Sequence, residues 1–155
     1  MLTIKTKAPA FNLLDQHEIK HRLSEYKGKW VLIYFYPKDD TPGCTKEACG
    51  IAEIYNDFKK LGLVVLGVSK DSPQSHATFA AKYKLPFTLL SDESTEMIQA
   101  YGAWVEKSMY GKKYLGINRV SYLVDPMGKV AKVYPKVDPA NHALEILADV
   151  KKFMK

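Results

Sequence analysis

The chain has 155 residues, 46% of them hydrophobic and 26% charged, and carries 23 basic against 17 acidic side chains for a net charge of +6. That length suits one globular domain over residues 1–155, with a core able to form without disulfides or a structural metal. The longest apolar runs, at 31–36 and 61–68, fall far short of the ~20 residues a membrane span needs, and no apolar stretch follows Lys5 as a secretory signal would require. Only two of the basic residues are arginine, Arg22 and Arg119, and the lysines are scattered. A solvated surface therefore explains the charge better than a nucleic-acid partner, whose grip leans on arginine's planar fork.

In chain order, residues 31–36 (VLIYFY) read as a strand covered on both faces. Cys44, Ala48, Ile51, Tyr55 and Phe58 then recur at helical spacing, which predicts one helix of about four turns ending near Leu61-Gly62. Residues 63–69 (LVVLGVS) form the second buried strand, completing a right-handed βαβ unit. Ser72-Pro73 starts a helix to about Tyr83, residues 86–90 read as a short strand, and Ser94 to Tyr101 as a short helix. Trp104, Tyr110 and Tyr114 are expected to pack on a long loop. Strands at 120–124 and 130–134 flank the turn Asp125-Pro126-Met127-Gly128. Asp138-Pro139 caps a last helix, with Leu144, Leu147, Val150 and Met154 on its apolar face. This order predicts an α/β, thioredoxin-like fold: a mixed central sheet with helices on both faces and an N-terminal extension.

Residues 37–43 form a stiff loop, with two prolines and a glycine, just past the carboxyl end of the first buried strand, where open α/β sheets place their ligands. Cys44 sits in the first helical turn, where free backbone N–H groups and the positive end of the helix dipole favour a thiolate. A buried structural cysteine is the alternative. Cys49 follows five residues on, outside the Cys-x-x-Cys spacing of thioredoxin-type redox pairs. His17, His21, His76 and His142 offer no obvious completion of a zinc site.

The run YFYPKDDTPGCTKEAC resembles the active-site segment of peroxiredoxins, with Pro37, Thr41 and Cys44 in the family's Pro-x-x-x-Thr-x-x-Cys pattern. Its second cysteine, five residues on, is similar to that of the PrxQ branch, also called bacterioferritin comigratory protein. Ala8-Pro9-Ala10-Phe11 and the segment from Asn118-Arg119 to Asp125 resemble further family segments. Gly50-Ile51-Ala52 departs from the aromatic–arginine pair frequent in the branch. The resemblance implies a peroxidase acting on hydrogen peroxide and organic hydroperoxides without metal, haem or flavin. It makes Cys44 the nucleophile and Cys49 the partner in an intrachain disulfide. Arg119 becomes the donor to sulfur and peroxide, and Thr41 and the N–H groups of Gly43 and Cys44 orient substrate and developing charge. Pro37 becomes a wall of the pocket. Glu47 is either a partner for Arg119 or a helix surface charge. Thioredoxin as reductant, a cytoplasmic location and a monomeric state are further expectations. A thiol–disulfide oxidoreductase and a non-enzymatic redox sensor are the alternative functions.

Helix geometry adds one consequence. Residues five apart on a helix place their Cα atoms about 8.7 Å apart. A disulfide rarely spans more than ~7 Å between Cα atoms, so a bond between these two cysteines requires the helix to unwind.

Overall fold

A computed structural model describes residues 1–154. The first elements are a small N-terminal hairpin, β1 (Asn12–Leu14) and β2 (Lys20–Arg22), a 3-10 turn (Leu23–Tyr26) and β3 (Trp30–Phe35). Next come α1 (Pro42–Glu53), α2 (Tyr55–Lys60), β4 (Leu63–Ser69), α3 (Pro73–Tyr83), β5 (Thr88–Ser91) and α4 (Glu96–Ala100). The chain ends with β6 (Trp104–Met109), β7 (Lys112–Ile117), β8 (Ser121–Val124), β9 (Val130–Tyr134) and α5 (His142–Phe153).

Seven strands form one sheet in the order β2-β1-β5-β4-β3-β8-β9, while β6 and β7 pair separately. β3, β4 and β5 run parallel, and β8 is antiparallel to β3, so the sheet is mixed as expected. β3 and β4 are apolar at nearly every position because both faces of the sheet are covered. Leu32, Tyr34 and Tyr36 look toward a core shared with α1, α2, α3 and α5. Val31, Ile33 and Phe35 look toward a second core closed by α4, the N-terminal segment and Ile117. Among the described residues no helix is long and apolar enough to cross a membrane.

Three departures from the sequence reading have physical reasons. The helix predicted from Cys44 to Gly62 is two, broken at Ile54, whose backbone (φ −111, ψ 18) leaves the helical region. Ile51, Ile54, Tyr55 and Phe58 all pack on the same core, so the apolar period runs through the break and conceals it. The expected long loop is a β-hairpin turning on Tyr110 (φ 53) and Gly111 (φ 77), a two-residue turn with both φ positive that suits the twist of its strands. Of its aromatic residues only Trp104 packs, against the second core; Tyr110 is 97% exposed, and Tyr114 is also exposed. The last helix begins at His142 and buries His142, Ala143, Ile146 and Val150, leaving the predicted Leu144 exposed. A polar demand sets that face, because buried His142 Nε2 lies 2.8 Å from Ser121 Oγ on β8.

Candidate active site

Parallel β3 ends at Phe35, in the interior of the sheet, and residues 37–41 carry the chain from its carboxyl end into α1. Pro42 opens the helix, where a missing N–H costs nothing and its fixed φ is already helical. The first bond of the helix runs from Thr45 N–H to the Thr41 carbonyl at 2.8 Å. The N–H groups of Gly43 and Cys44 therefore lie ahead of the ladder, free to meet a ligand or a developing charge. Cys44 is 1% exposed and packs among the core residues beneath the sheet.

Arg119 arrives from the segment between β7 and β8. A methyl group on Gly43 would lie 2.5 Å from Arg119 Nη2, so the guanidinium rests directly on the backbone beside Cys44. Only glycine admits that approach. Arg119 Nη1 donates to Glu47 Oε1 at 3.4 Å. Glu47 lies one turn after Cys44 and is 1% exposed, which removes its reading as a surface charge. Burial pushes its carboxyl up to about 7, against the opposing pull of Arg119. Glu47 Oε2 and the hydroxyl of Tyr34 are both buried without a hydrogen-bond partner.

The Thr41 hydroxyl donates to the Lys38 carbonyl at 2.8 Å. Its proton is thus committed to the loop, and what it can offer a peroxide is an acceptor lone pair. Pro37, Lys107, Asn118, Arg119, Pro135 and Val137 line a cleft of about 350 Å³. Lys107 escaped the sequence reading because it lies on the unrecognised hairpin. Burial and the nearby Arg119 charge lower its pKa. Cys49 is half-buried on the same uninterrupted helix, with its thiol pKa raised by burial, and both cysteines are free. The site thus gathers Pro37, Thr41, Gly43 and Cys44 on one loop-to-helix turn with Arg119 above it, while Cys49 stands apart.

Residues 4–133 match the AhpC/TSA family. A peroxiredoxin Bcp of Bacillus subtilis is 41% identical over 150 residues, covering 97% of this chain and 96% of its own. A putative peroxiredoxin bcp of Coxiella burnetii is 47% identical over 146 residues, covering 94% and 97%. Among solved structures, the Xanthomonas campestris bacterioferritin comigratory protein, studied for its alkyl peroxide reduction activity, is 40% identical with a TM-score of 0.89 over 94% of this chain and 92% of that one. A cysteine-to-serine mutant of Xylella fastidiosa PrxQ is 31% identical with a TM-score of 0.94, covering 100% and 99%. This chain belongs to the AhpC/TSA family and, within it, to the Bcp or PrxQ branch of the peroxiredoxins, which are thiol-dependent peroxidases.

Proposed function

We propose that Cys44 is the peroxide-reducing nucleophile of this peroxiredoxin, that Cys49 resolves it as an intrachain disulfide, and that hydrogen peroxide and organic hydroperoxides are the substrates. The observation that carries this reading is the placement of Cys44 at the start of α1, next to the Gly43 backbone against which the Arg119 guanidinium lies. The Cys44 thiolate attacks the nearer peroxide oxygen in line with the O–O bond. That bond breaks, and its electron pair leaves on the far oxygen, which takes a proton and departs as water or an alcohol. Arg119 and the N–H groups of Gly43 and Cys44 face the charge that gathers during the transfer. Thr41 accepts from the peroxide O–H, and Pro37 limits water at the cleft.

The product is a Cys44 sulfenic acid. Cys49 sulfur then attacks Cys44 sulfur, water leaves, and a disulfide remains. α1 is a regular helix across both positions, so this second step requires its first turns to open. A dithiol protein of the thioredoxin kind restores both thiols by exchange. Such recycling suits a reducing, cytoplasmic compartment. The relatives align over nearly the whole chain, which supports reading residues 1–155 as one domain, and we take that domain to act as a monomer.

The test is rapid mixing of reduced protein with one equivalent of hydrogen peroxide or an alkyl hydroperoxide, followed by alkylation and peptide mass analysis. A peptide bridging Cys44 and Cys49, lighter by two hydrogens, is expected. Cys49 still open to alkylation once the peroxide is consumed would refute its resolving role. Cys44 left unoxidised would refute the assignment of the nucleophile.

A further inference from the structure

The loop that delivers Cys44 is fastened from behind by buried polar groups that the proposed chemistry does not use. Asp39, two residues past Pro37, is buried, and its carboxylate is fully engaged. Asp39 Oδ1 accepts from the Tyr36 hydroxyl at 2.6 Å, and Oδ2 accepts from the Ser75 hydroxyl at 2.8 Å. His76 Nδ1 lies 2.7 Å from Oδ2, with no part of the His76 side chain exposed. His76 Nε2 donates to the Leu90 carbonyl on β5 at 2.9 Å. A carbonyl only accepts, so Nε2 must carry a proton, and the short Nδ1–Oδ2 contact holds another between ring and carboxylate. The Asp39 N–H donates to Asp71 Oδ2 at 2.9 Å, and that same oxygen accepts from Ser69 Oγ at 2.7 Å.

Ligating atoms of Asp39, Asp71 and His76 lie within 4.8 Å of one another. Each of those atoms already has a hydrogen-bond partner, and the partners tie three elements together: the loop, α3 and the ends of β4 and β5. Asp40 adds a second, exposed attachment to α3. It accepts from the Tyr83 hydroxyl at 2.6 Å and from Lys82 Nζ at 2.8 Å, with its own backbone at φ 54. The chain is thus fixed to α3 at residues 39 and 40, immediately before the stretch that holds Thr41, Gly43 and Cys44.

We infer that His76, acting through Asp39, is a positioning residue for the peroxide step. It anchors the loop to α3, so that Thr41 and Gly43 stay registered against Arg119 and the opening of α1 begins after Asp40. This inference rests on the reading of Cys44 as the peroxide-reducing thiol. Releasing the anchor displaces groups that must meet the reacting atoms in a narrow geometry, which slows the peroxide step. It does not oppose the opening of α1, so disulfide formation keeps its rate or gains.

Three variants separate this role from a merely structural one. Asn at 76 keeps a donor near the Nδ1 position and hence the tie to Asp39, whereas Gln at 76 keeps a donor near Nε2 and ties α3 only to Leu90. Tyr36→Phe removes one bond to Asp39 while keeping the ring. Single-turnover mixing with hydrogen peroxide resolves sulfenic acid formation from disulfide formation, and circular dichroism checks the fold. His76→Gln is expected to slow the first step roughly 10- to 100-fold without slowing the second. His76→Asn stays within a few-fold of the parent, and Tyr36→Phe shifts the first step in the same direction by less than His76→Gln. Equal rates in the Asn and Gln variants, or both steps slowing together, would overturn the inference. Should the Gln variant not fold, Tyr36→Phe decides, and an unchanged first step there overturns it. A parent protein whose Cys44 reacts no faster than free cysteine would instead overturn the reading of Cys44 itself.

Discussion

The two ends of α1 are built from different materials. Its first turn holds a buried thiol, N–H groups ahead of the helical ladder, a guanidinium against Gly43 and, one turn on, a buried carboxyl with an unpartnered oxygen. Its second half is apolar anchorage: Ala48 and Ile51 lie in the core, and a methyl group added to Gly50 would lie 3.9 Å from the Ala143 methyl of α5. Polar groups buried without full compensation cost stability, and on α1 the one such side-chain atom among the described residues, Glu47 Oε2, stands toward the end that carries Cys44. Cys49 sits on the anchored half, half-buried, with its thiol pKa raised by burial. On the proposed mechanism, this contrast is why Cys44 reacts first and why the polar end of the helix is the one that opens.

Substitutions along the first turn should break the contrast, beginning with the largest effect. Cys44→Ser should abolish peroxide reduction, since a hydroxyl at neutral pH is no comparable nucleophile, whereas Cys49→Ser should still consume one equivalent and then stall as sulfenic acid. A peroxide-consumption assay on both variants checks the pair. Arg119→Ala removes a charge-assisted donor at the developing charge, which costs roughly 3 kcal/mol, or about a hundredfold in the second-order rate constant measured by stopped flow. Gly43→Ala should push the guanidinium aside. Because the atoms it meets are the end of a flexible side chain, the same rate constant should fall only about tenfold.

A smaller effect concerns pH. Glu47 has its carboxyl raised from 4.5 to about 7, so the folded protein holds a proton there that the unfolded chain has lost. Its contribution to stability is present at low pH and falls as pH rises from 4.5 to 7, by roughly 3 kcal/mol at most. His142, on α5, is the opposite case. Burial lowers its pKa from 6.5 to about 4, so its contribution is lost as pH falls through that interval. The two slopes oppose each other between pH 4.5 and 6.5. Glu47→Gln should therefore gain stability over the parent on going from pH 5 to pH 8, while its rate with peroxide falls a few-fold. Urea unfolding at the two pH values measures the gain, and an equal difference at both would show that Glu47 titrates normally.

Much of this was legible in the sequence. Buried parallel strands announce themselves by unbroken β-branched and aromatic runs, as at residues 31–36 and 63–69, and the Pro37–Thr41–Cys44 spacing announces the site. Less legible was anything set by a tertiary partner. The sequence left Glu47 open between a partner for Arg119 and a surface charge, and only the packing of a side chain 72 residues away decides between them. Asp39 reads as a loop charge until His76 is seen against it. The hairpin of β6 and β7 was masked by lysines and exposed aromatics, although Tyr110-Gly111 is a two-residue turn. On α5 the apolar pattern finds Leu147, Val150 and Met154 on the core face but overreaches at Leu144, which is exposed while Ala143 and His142 beside it are buried.

The central claim is that α1 opens from its polar end to join Cys44 to Cys49, and hydrogen exchange at the amides of residues 43–52 tests it most directly. In the reduced protein the ladder amides of this span should be protected, and oxidation with one equivalent of peroxide should remove that protection while the α5 amides keep theirs. Equal protection of residues 43–52 in the reduced and disulfide forms would contradict the account.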